Sequence, residues 1–119
     1  MDIIFREQYV NKLISLKDKK IIKVLTGIRR AGKSTILQEF KEYLLKNGVD
    51  KKNIIFINLD DKSNKYLLDS DELHNYILSN IDLNKKNYIF LDEVQNVAEF
   101  EKCINSLFLR KNLDIYNWF

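Results

Sequence analysis

The sequence contains few of the residues that interrupt helices and strands or cross-link a chain. Its 119 residues include no proline, three glycines, one cysteine and one histidine. The lone Cys103 excludes an internal disulfide, which fits a reducing compartment, and its place on the inner face of a predicted helix favours a buried structural thiol. The lone His74 has no cysteine or histidine partner at metal-ligand spacing, which argues against a zinc site.

Long apolar runs are also missing. No segment approaches the roughly 18 apolar residues of a membrane span, and the amino terminus lacks the basic-then-apolar layout of a signal peptide. We therefore expect a cytoplasmic protein with no membrane partner. Because linkers rich in proline or glycine and internal repeats are absent too, we expect a single domain over residues 1–119.

Neither sign of charge dominates the composition. Twenty basic residues stand against seventeen acidic ones, which gives a net charge of +3. The lysines are scattered along the chain, so nucleic-acid binding is neither indicated nor excluded. The densest basic stretch, formed by Lys17, Lys19 and Lys20, fits a solvated turn before the first strand.

Two of the three glycines belong to one motif, G-x-x-x-x-G-K-[ST]. It occupies residues 27–34 and reads Gly27-Ile28-Arg29-Arg30-Ala31-Gly32-Lys33-Ser34. An apolar, β-branched run at 21–26 predicts a buried strand before it, and helical spacing predicts a helix over about 33–46 after it. Strand, glycine loop and helix start are the context in which this pattern binds phosphate.

The chemistry of the motif explains its residue types. Glycines let the backbone approach a phosphate closely, and successive N–H groups at a helix start form an anion site. Lys33 is expected to reach the β- and γ-phosphates, Ser34 to ligate Mg²⁺, and Thr35 to add a phosphate hydrogen bond. The alternative is a βα turn that binds no ligand.

A second segment carries paired acids. The apolar run over 87–92 predicts a buried strand that ends in Asp92-Glu93, at the edge where open α/β sheets bind ligands. Asp92 is expected to hold Mg²⁺ and Glu93 to activate water as a general base. The alternative is that this acidic pair only caps the next helix.

The remaining pattern alternates helices and strands. The spacing predicts helices at 5–16, after a cap formed by Ser70 or Asp71, and after a capping box of Asn96 and Glu99. It also predicts strands at 53–60 and from 113 to about 118. Residues 62–69 are predicted to be a polar loop, and Asp60 and Asp61 either face the Mg²⁺ region or lie in solvent. This alternation predicts an α/β fold with a parallel sheet.

Three segments together resemble the AAA+ superfamily of ATP-binding proteins. They are 26–34, the strand end Ile57-Asn58-Leu59-Asp60, and Leu91-Asp92-Glu93-Val94-Gln95. The chain is similar to its compact prokaryotic members from about Arg6 to Tyr116. The resemblance implies a P-loop NTPase three-layer αβα sandwich with strand order 5-1-4-3-2, and ATP and Mg²⁺ as cofactors. It maps Lys33, Ser34, Asp92 and Glu93 onto the phosphate, Mg²⁺ and water-activating positions.

The sequence departs from that family after the fourth strand. In the family a small polar tip senses the γ-phosphate there, and a fifth strand and a helical lid follow. Here the chain reads Asn117-Trp118-Phe119 and stops, with Asn117 near the sensing position. We therefore expect an incomplete domain, with an amino-terminal helix at 5–16, a nucleotide-binding core at 21–116 and no lid.

This departure shapes the functional expectation. An incomplete sheet leaves one side of the first strand open, which a second copy or a protein partner would cover. The chain is expected to bind ATP or ADP, with Mg²⁺-dependent hydrolysis in the intact family and poor turnover here. The alternatives are a degenerate fragment or interaction module, and a P-loop kinase or GTPase, although no guanine-reading Asn-Lys-x-Asp run is present.

Overall fold

A computed structural model describes residues 3–26 and 30–119 of the chain. Within them, four α-helices alternate with four β-strands. In chain order these are α1 (Ile3–Leu16), β1 (Lys23–Leu25), α2 (Arg30–Lys46), β2 (Ile54–Asn58), α3 (Ser70–Asn80), β3 (Asn87–Asp92), α4 (Phe100–Phe108) and β4 (Leu113–Trp118). Each predicted helix and strand is present; the bounds of β3 and β4 are those predicted, and the bounds of the other elements differ.

The four strands form one parallel sheet in the order β1-β4-β3-β2. All six residues of β3 and all six of β4 are buried, because these strands lie at the centre of the sheet. The AAA+ resemblance implies the order 5-1-4-3-2, and the observed order matches it for strands 1 to 4. The structure therefore confirms the α/β P-loop NTPase-like fold.

The helices cover the two faces of the sheet, so the domain has three layers. Helices α1 and α2 pack on one face, where an apolar cluster includes Leu13, Phe40 and Tyr116. Helices α3 and α4 pack on the other face, around Ile77 and Leu107. Side chains alternate across a strand, so the two faces of β3 and β4 contribute to different clusters.

Strand β1 differs most from its prediction. The sequence predicted a buried strand over 21–26, but β1 has three residues, and the side chain of Val24 is 54% exposed. The reason is its place at the edge of the sheet, where β4 is its partner. Apolar composition indicates a strand but does not reveal whether both of its faces are covered.

Local capping was also predicted incorrectly. Residues 62–68 form 3₁₀ turns, with Leu67 buried, where a polar loop was predicted. The carboxylate of Asp69, rather than Ser70 or Asp71, caps α3 by accepting the N–H groups of Asp71 and Glu72.

The predicted capping box before α4 is wrong. Glu99 precedes the helix with a left-handed backbone, φ 57°, and its side chain makes no capping hydrogen bond. Asn96 instead ends a 3₁₀ turn, Val94–Asn96, and donates to the carbonyl of Leu59. Spacing alone did not reveal this extra turn between β3 and α4.

Helix α2 ends as predicted but begins earlier. It runs to Lys46, and Gly48 takes the left-handed conformation (φ 91°) that suits a glycine after a helix end. At its start the helix includes Arg30, three residues before the predicted boundary. None of the described helices is both long and apolar enough to cross a membrane.

Candidate functional site

The site lies at the carboxyl end of the sheet, where parallel strands release their chains toward the helices. The residues at the start of α2 face those at the ends of β2 and β3 across a small cleft of about 130 Å³. The cleft is lined by Lys33, Ser34, Asn58, Asp60, Asp92 and Glu93. The fold thus brings together both sequence segments that were predicted to form a site.

Lys33 contacts both acids of the Asp92-Glu93 pair. Its Nζ lies 2.7 Å from Oδ1 of Asp92 and 3.6 Å from Oε1 of Glu93. The side chains of Lys33 and Asp92 are 8% and 11% exposed, so the ion pair is nearly buried but borders the cleft. A charge-assisted hydrogen bond of this length holds the ammonium group between the two acids.

Glu93 has an unusual backbone. Its φ of 58° and ψ of 42° are left-handed, a conformation that is costly for a residue with a long side chain. Its N–H donates to the carbonyl of Trp118 at 2.9 Å, which continues the pairing between β3 and β4 past the strand end. Gln95 Nε2 donates to Oε2 of Glu93 at 2.6 Å. The turn therefore holds the Glu93 carboxylate at the cleft.

The capping alternative for the acidic pair is not supported. Asp92 is the last residue of β3, and the Glu93 side chain makes no capping hydrogen bond to the turn that follows. Both carboxylates instead contact Lys33.

Part of the predicted phosphate loop lies outside the described residues. Gly27, Ile28 and Arg29 belong to this part, and for Arg30 and Ala31 only the helical backbone is described. Gly32 and Thr35 follow on α2, buried and half-buried respectively. The phosphate contacts assigned to all of these residues stay predictions.

Sequence reasoning missed Asn58. It ends β2 and pairs in register with Asp92 on β3, which places it at the same edge of the sheet. The available signal was its position at the end of a strand parallel to the one that carries Asp92.

The two acids that follow β2 take different positions. Asp60 lines the cleft, whereas Asp61 accepts hydrogen bonds from the hydroxyl and N–H of Ser63. Those two bonds keep the pKa of the Asp61 carboxyl below its usual value. Asp60 therefore faces the cleft and Asp61 is not among its lining residues, and a contact of Asp60 with Mg²⁺ stays a prediction.

Asn117 lies near the site but does not line the cleft. It is 2% exposed in β4, in register with Leu91 and Val24. Its Oδ1 has no hydrogen-bonding partner among the described residues. The phosphate-sensing role implied by the resemblance stays a prediction.

The donor set of the cleft suits Mg²⁺, which prefers oxygen ligands and retains water and substrate phosphates in its shell. Ser34 offers a hydroxyl, Asn58 an amide oxygen, and Asp60 and Asp92 carboxylates. In residues 3–26 and 30–119, no group of three or more His, Cys, Asp and Glu side chains is placed to hold a metal alone.

The two solitary residues lie away from the cleft. Cys103 is buried, and burial raises the pKa of its thiol to about 11, so it is an inert structural thiol as predicted. His74 Nε2 lies 2.8 Å from the hydroxyl of Ser106, which joins α3 to α4.

Comparisons with known proteins agree with this geometry. A family model described as an AAA domain matches residues 19–117. An uncharacterized protein of Haemophilus influenzae is 33% identical over 114 residues, which are 95% of this chain. Those residues are 28% of the relative, so the chain spans less than a third of its length. No solved structure matches the chain.

Proposed function

The chain belongs to the AAA domain family, and on that premise we propose that it binds ATP, as its magnesium complex, in the cleft between α2 and the ends of β2 and β3. The observation that carries this proposal is the 2.7 Å contact between Lys33 of the phosphate-loop motif and Asp92. Residues from two distant segments, each typical of nucleotide binding, meet at one point.

The charge balance of the cleft supports the magnesium complex over free ATP. Asp60, Asp92 and Glu93 bring three carboxylates, whereas Lys33 is the cation among the described lining residues. A bare triphosphate would be repelled by these acids. When bound, Mg²⁺ would supply positive charge that offsets this repulsion and the charge that develops on the phosphate.

Lys33 has a second role in this proposal. Without nucleotide its ammonium group pairs with Asp92. A phosphate group would compete for the same ammonium group, and Asp92 would be freed to accept from the hydration shell of the metal ion. The exchange conserves ion pairing in a nearly buried place, where an unpaired charge would be expensive.

Glu93 is the proposed general base for hydrolysis. Its carboxylate lies at the cleft, 3.6 Å from Lys33 Nζ, and Gln95 holds one of its oxygens. It would orient a water molecule and take its proton as that water attacks the γ-phosphorus. The bond from that phosphorus to the β–γ bridging oxygen would break, releasing ADP and inorganic phosphate. We propose slow turnover by these 119 residues alone.

Two further parts of the proposal concern surroundings. A cytoplasmic location is supported by the buried free thiol of Cys103 and by the use of ATP.

A second copy or another protein is proposed to cover the outer edge of β1, where Val24 is 54% exposed. If a partner covers this edge, the Val24→Lys variant should have a lower sedimentation coefficient than the parent. Equal sedimentation coefficients would contradict the proposed partner.

Titration with a fluorescent ATP analogue tests the proposal. Lys33→Met is expected to weaken binding about 10- to 100-fold, since it removes a charged hydrogen bond to phosphate. Glu93→Gln is expected to bind within about threefold of the parent and to lose its Mg²⁺-dependent phosphate release. Lys46→Met, exposed at the far end of the same helix, is the matched control. Equal affinity of Lys33→Met and the parent would overturn the proposal.

A further inference from the structure

The loops that precede the four strands meet at the amino end of the sheet, opposite the nucleotide cleft. Together with Lys46, the last residue of α2, they comprise residues 17–21, 46–52, 82–86 and 109–111, which we call the amino-end rim. Because all four strands are parallel, each of these segments must reach the same edge. The rim is assembled from segments that are far apart in sequence.

Side-chain contacts confirm that the rim is one surface. Lys86 Nζ lies 3.3 Å from the carbonyl of Lys111 and 4.0 Å from Asp18 Oδ1. Lys85 Nζ lies 3.8 Å from Asp50 Oδ2. Lys20 Nζ donates to the backbone carbonyls of Phe108 and Arg110.

Half of the basic residues of the chain lie on the rim. It has ten basic and three acidic residues, whereas the rest of the sequence has ten basic and fourteen acidic ones. The ten are Lys17, Lys19, Lys20, Lys46, Lys51, Lys52, Lys85, Lys86, Arg110 and Lys111. The small net charge of +3 therefore conceals an excess of seven positive charges at one end. Lysines that are scattered in the sequence are gathered in space.

The rim also exposes aliphatic side chains. Leu83 and Leu109 are 80% and 79% exposed, higher than any other large apolar side chain described, and Ile21 is 48% exposed. Each lies beside a pair of cations, in the segments Lys19-Lys20-Ile21, Leu83-Asn84-Lys85-Lys86 and Leu109-Arg110-Lys111. Three loops thus share one arrangement, in which an exposed aliphatic side chain lies within three residues of two basic ones.

We propose that the amino-end rim is a docking surface for an anionic lipid bilayer. Lysine and arginine near a bilayer surface are attracted to acidic headgroups, and adjacent aliphatic side chains gain by entering the interface. Long basic side chains can keep their charge at headgroup level while the aliphatic groups beside them insert. Leu83, Leu109 and Ile21 supply the apolar part of this surface.

The exposed leucines favour a bilayer over a nucleic acid. A phosphate backbone would use the cations but would leave Leu83 and Leu109 in water. Single-stranded nucleic acid is commonly held by stacking on aromatic side chains, and the exposed aromatic residues Phe56, Tyr66 and Tyr76 lie outside the rim.

Docking through the rim leaves the nucleotide cleft open, because the two lie at opposite ends of the sheet. It also requires no membrane-spanning helix. The sequence predicted no membrane partner because it has no long apolar run. That lack argues against a membrane-spanning segment, but it does not exclude contact with the surface of a bilayer.

Co-sedimentation of the chain with vesicles tests the proposal. Binding is expected to vesicles of phosphatidylglycerol and phosphatidylcholine, with little binding to phosphatidylcholine alone and a steep decrease as salt rises. Leu83→Ser with Leu109→Ser should weaken binding at least about tenfold, and Lys85→Ala with Lys86→Ala should also weaken it, about fivefold per charge. Circular dichroism checks that each variant is folded.

Matched controls lie at the other end of the molecule. Tyr66→Ser and the pair Lys62→Ala and Lys65→Ala change exposed apolar and basic groups outside the rim, and should leave vesicle binding unchanged. Equal binding to neutral vesicles, no binding to acidic vesicles, or full binding by the leucine variant would overturn the proposal. Tighter binding to duplex DNA that the leucine changes do not affect would assign the rim to nucleic acid instead.

Discussion

Two lysine–aspartate pairs lie at opposite ends of the same sheet, and they differ in how completely they are enclosed. At the amino end, the side chains of Lys23 and Asp114 are each 1% exposed. At the carboxyl end, those of Lys33 and Asp92 are 8% and 11% exposed and line a cleft. The pair at the amino end is therefore sealed from solvent, whereas the pair at the carboxyl end is accessible from the cleft.

The more enclosed pair, Lys23 and Asp114, also has more hydrogen-bonding partners within the fold. Asp114 accepts from Lys23, from the Tyr116 hydroxyl at 2.8 Å, and from the backbone N–H of Asp18 at 2.9 Å. Lys23 also donates to the carbonyl of Lys19. Every group of that pair is satisfied by the fold, which ties β1 to β4 and to the turn after α1. A saturated pair is suited to structure, whereas one bordering a cleft can exchange its partner for a ligand.

The comparison is tested most strongly by breaking the sealed pair. Lys23→Met is expected to lower the free energy of unfolding by about 3–5 kcal/mol, because it leaves the Asp114 charge buried and unpaired. Adding Asp114→Asn should recover most of that loss, since the amide keeps an acceptor for Tyr116 and Asp18. Urea unfolding measures both variants. A loss below about 1 kcal/mol for Lys23→Met would remove the distinction between the two ends.

A second test uses alkaline pH. Burial and the nearby Asp114 charge raise the pKa of Tyr116 above its ordinary value of 10.0. Stability from this group is therefore complete below pH 10 and is lost as pH rises toward the folded-state value, by about 1.4 kcal/mol per pH unit. Tyr116→Phe should cost about 1 kcal/mol at neutral pH and make the decline above pH 10 shallower. Identical slopes in the two proteins would contradict this interpretation.

The smallest expected effect concerns backbone strain. Glu93 at the cleft and Glu99 before α4 share a left-handed backbone, with φ of 58° and 57°. Replacing either by glycine should raise the free energy of unfolding by about 0.5–1 kcal/mol. Only Glu93→Gly should abolish phosphate release, so Glu99→Gly is its matched control. Equal loss of phosphate release in both variants would contradict the assignment of the general base to Glu93.

The carboxyl end could be predicted from the sequence because its signals are local. The glycine motif and the acidic strand end are short segments whose residue types follow from phosphate and metal chemistry. Their meeting in one cleft follows from a parallel sheet, which the alternation of helices and strands predicts. Asn58 was missed because an amide at a strand end carries no such pattern.

The amino end could not be predicted in the same way. Its basic residues lie in four separate segments, and the pairing of Lys23 with Asp114 joins residues 91 positions apart. Such contacts depend on the order of strands rather than on any local spacing. The exposure of Val24 and the left-handed turn before α4 likewise depend on which neighbours the fold supplies.

The most direct test is urea unfolding with and without ATP and Mg²⁺. A ligand that binds the folded state at about ten times its dissociation constant adds roughly 1.4 kcal/mol to the free energy of unfolding. We predict this gain in the parent and in the variant carrying Lys23→Met with Asp114→Asn, and a gain of about 0.4 kcal/mol or less in Lys33→Met. An equal gain in Lys33→Met, or no gain in the parent, would contradict the assignment of the nucleotide site to the carboxyl end.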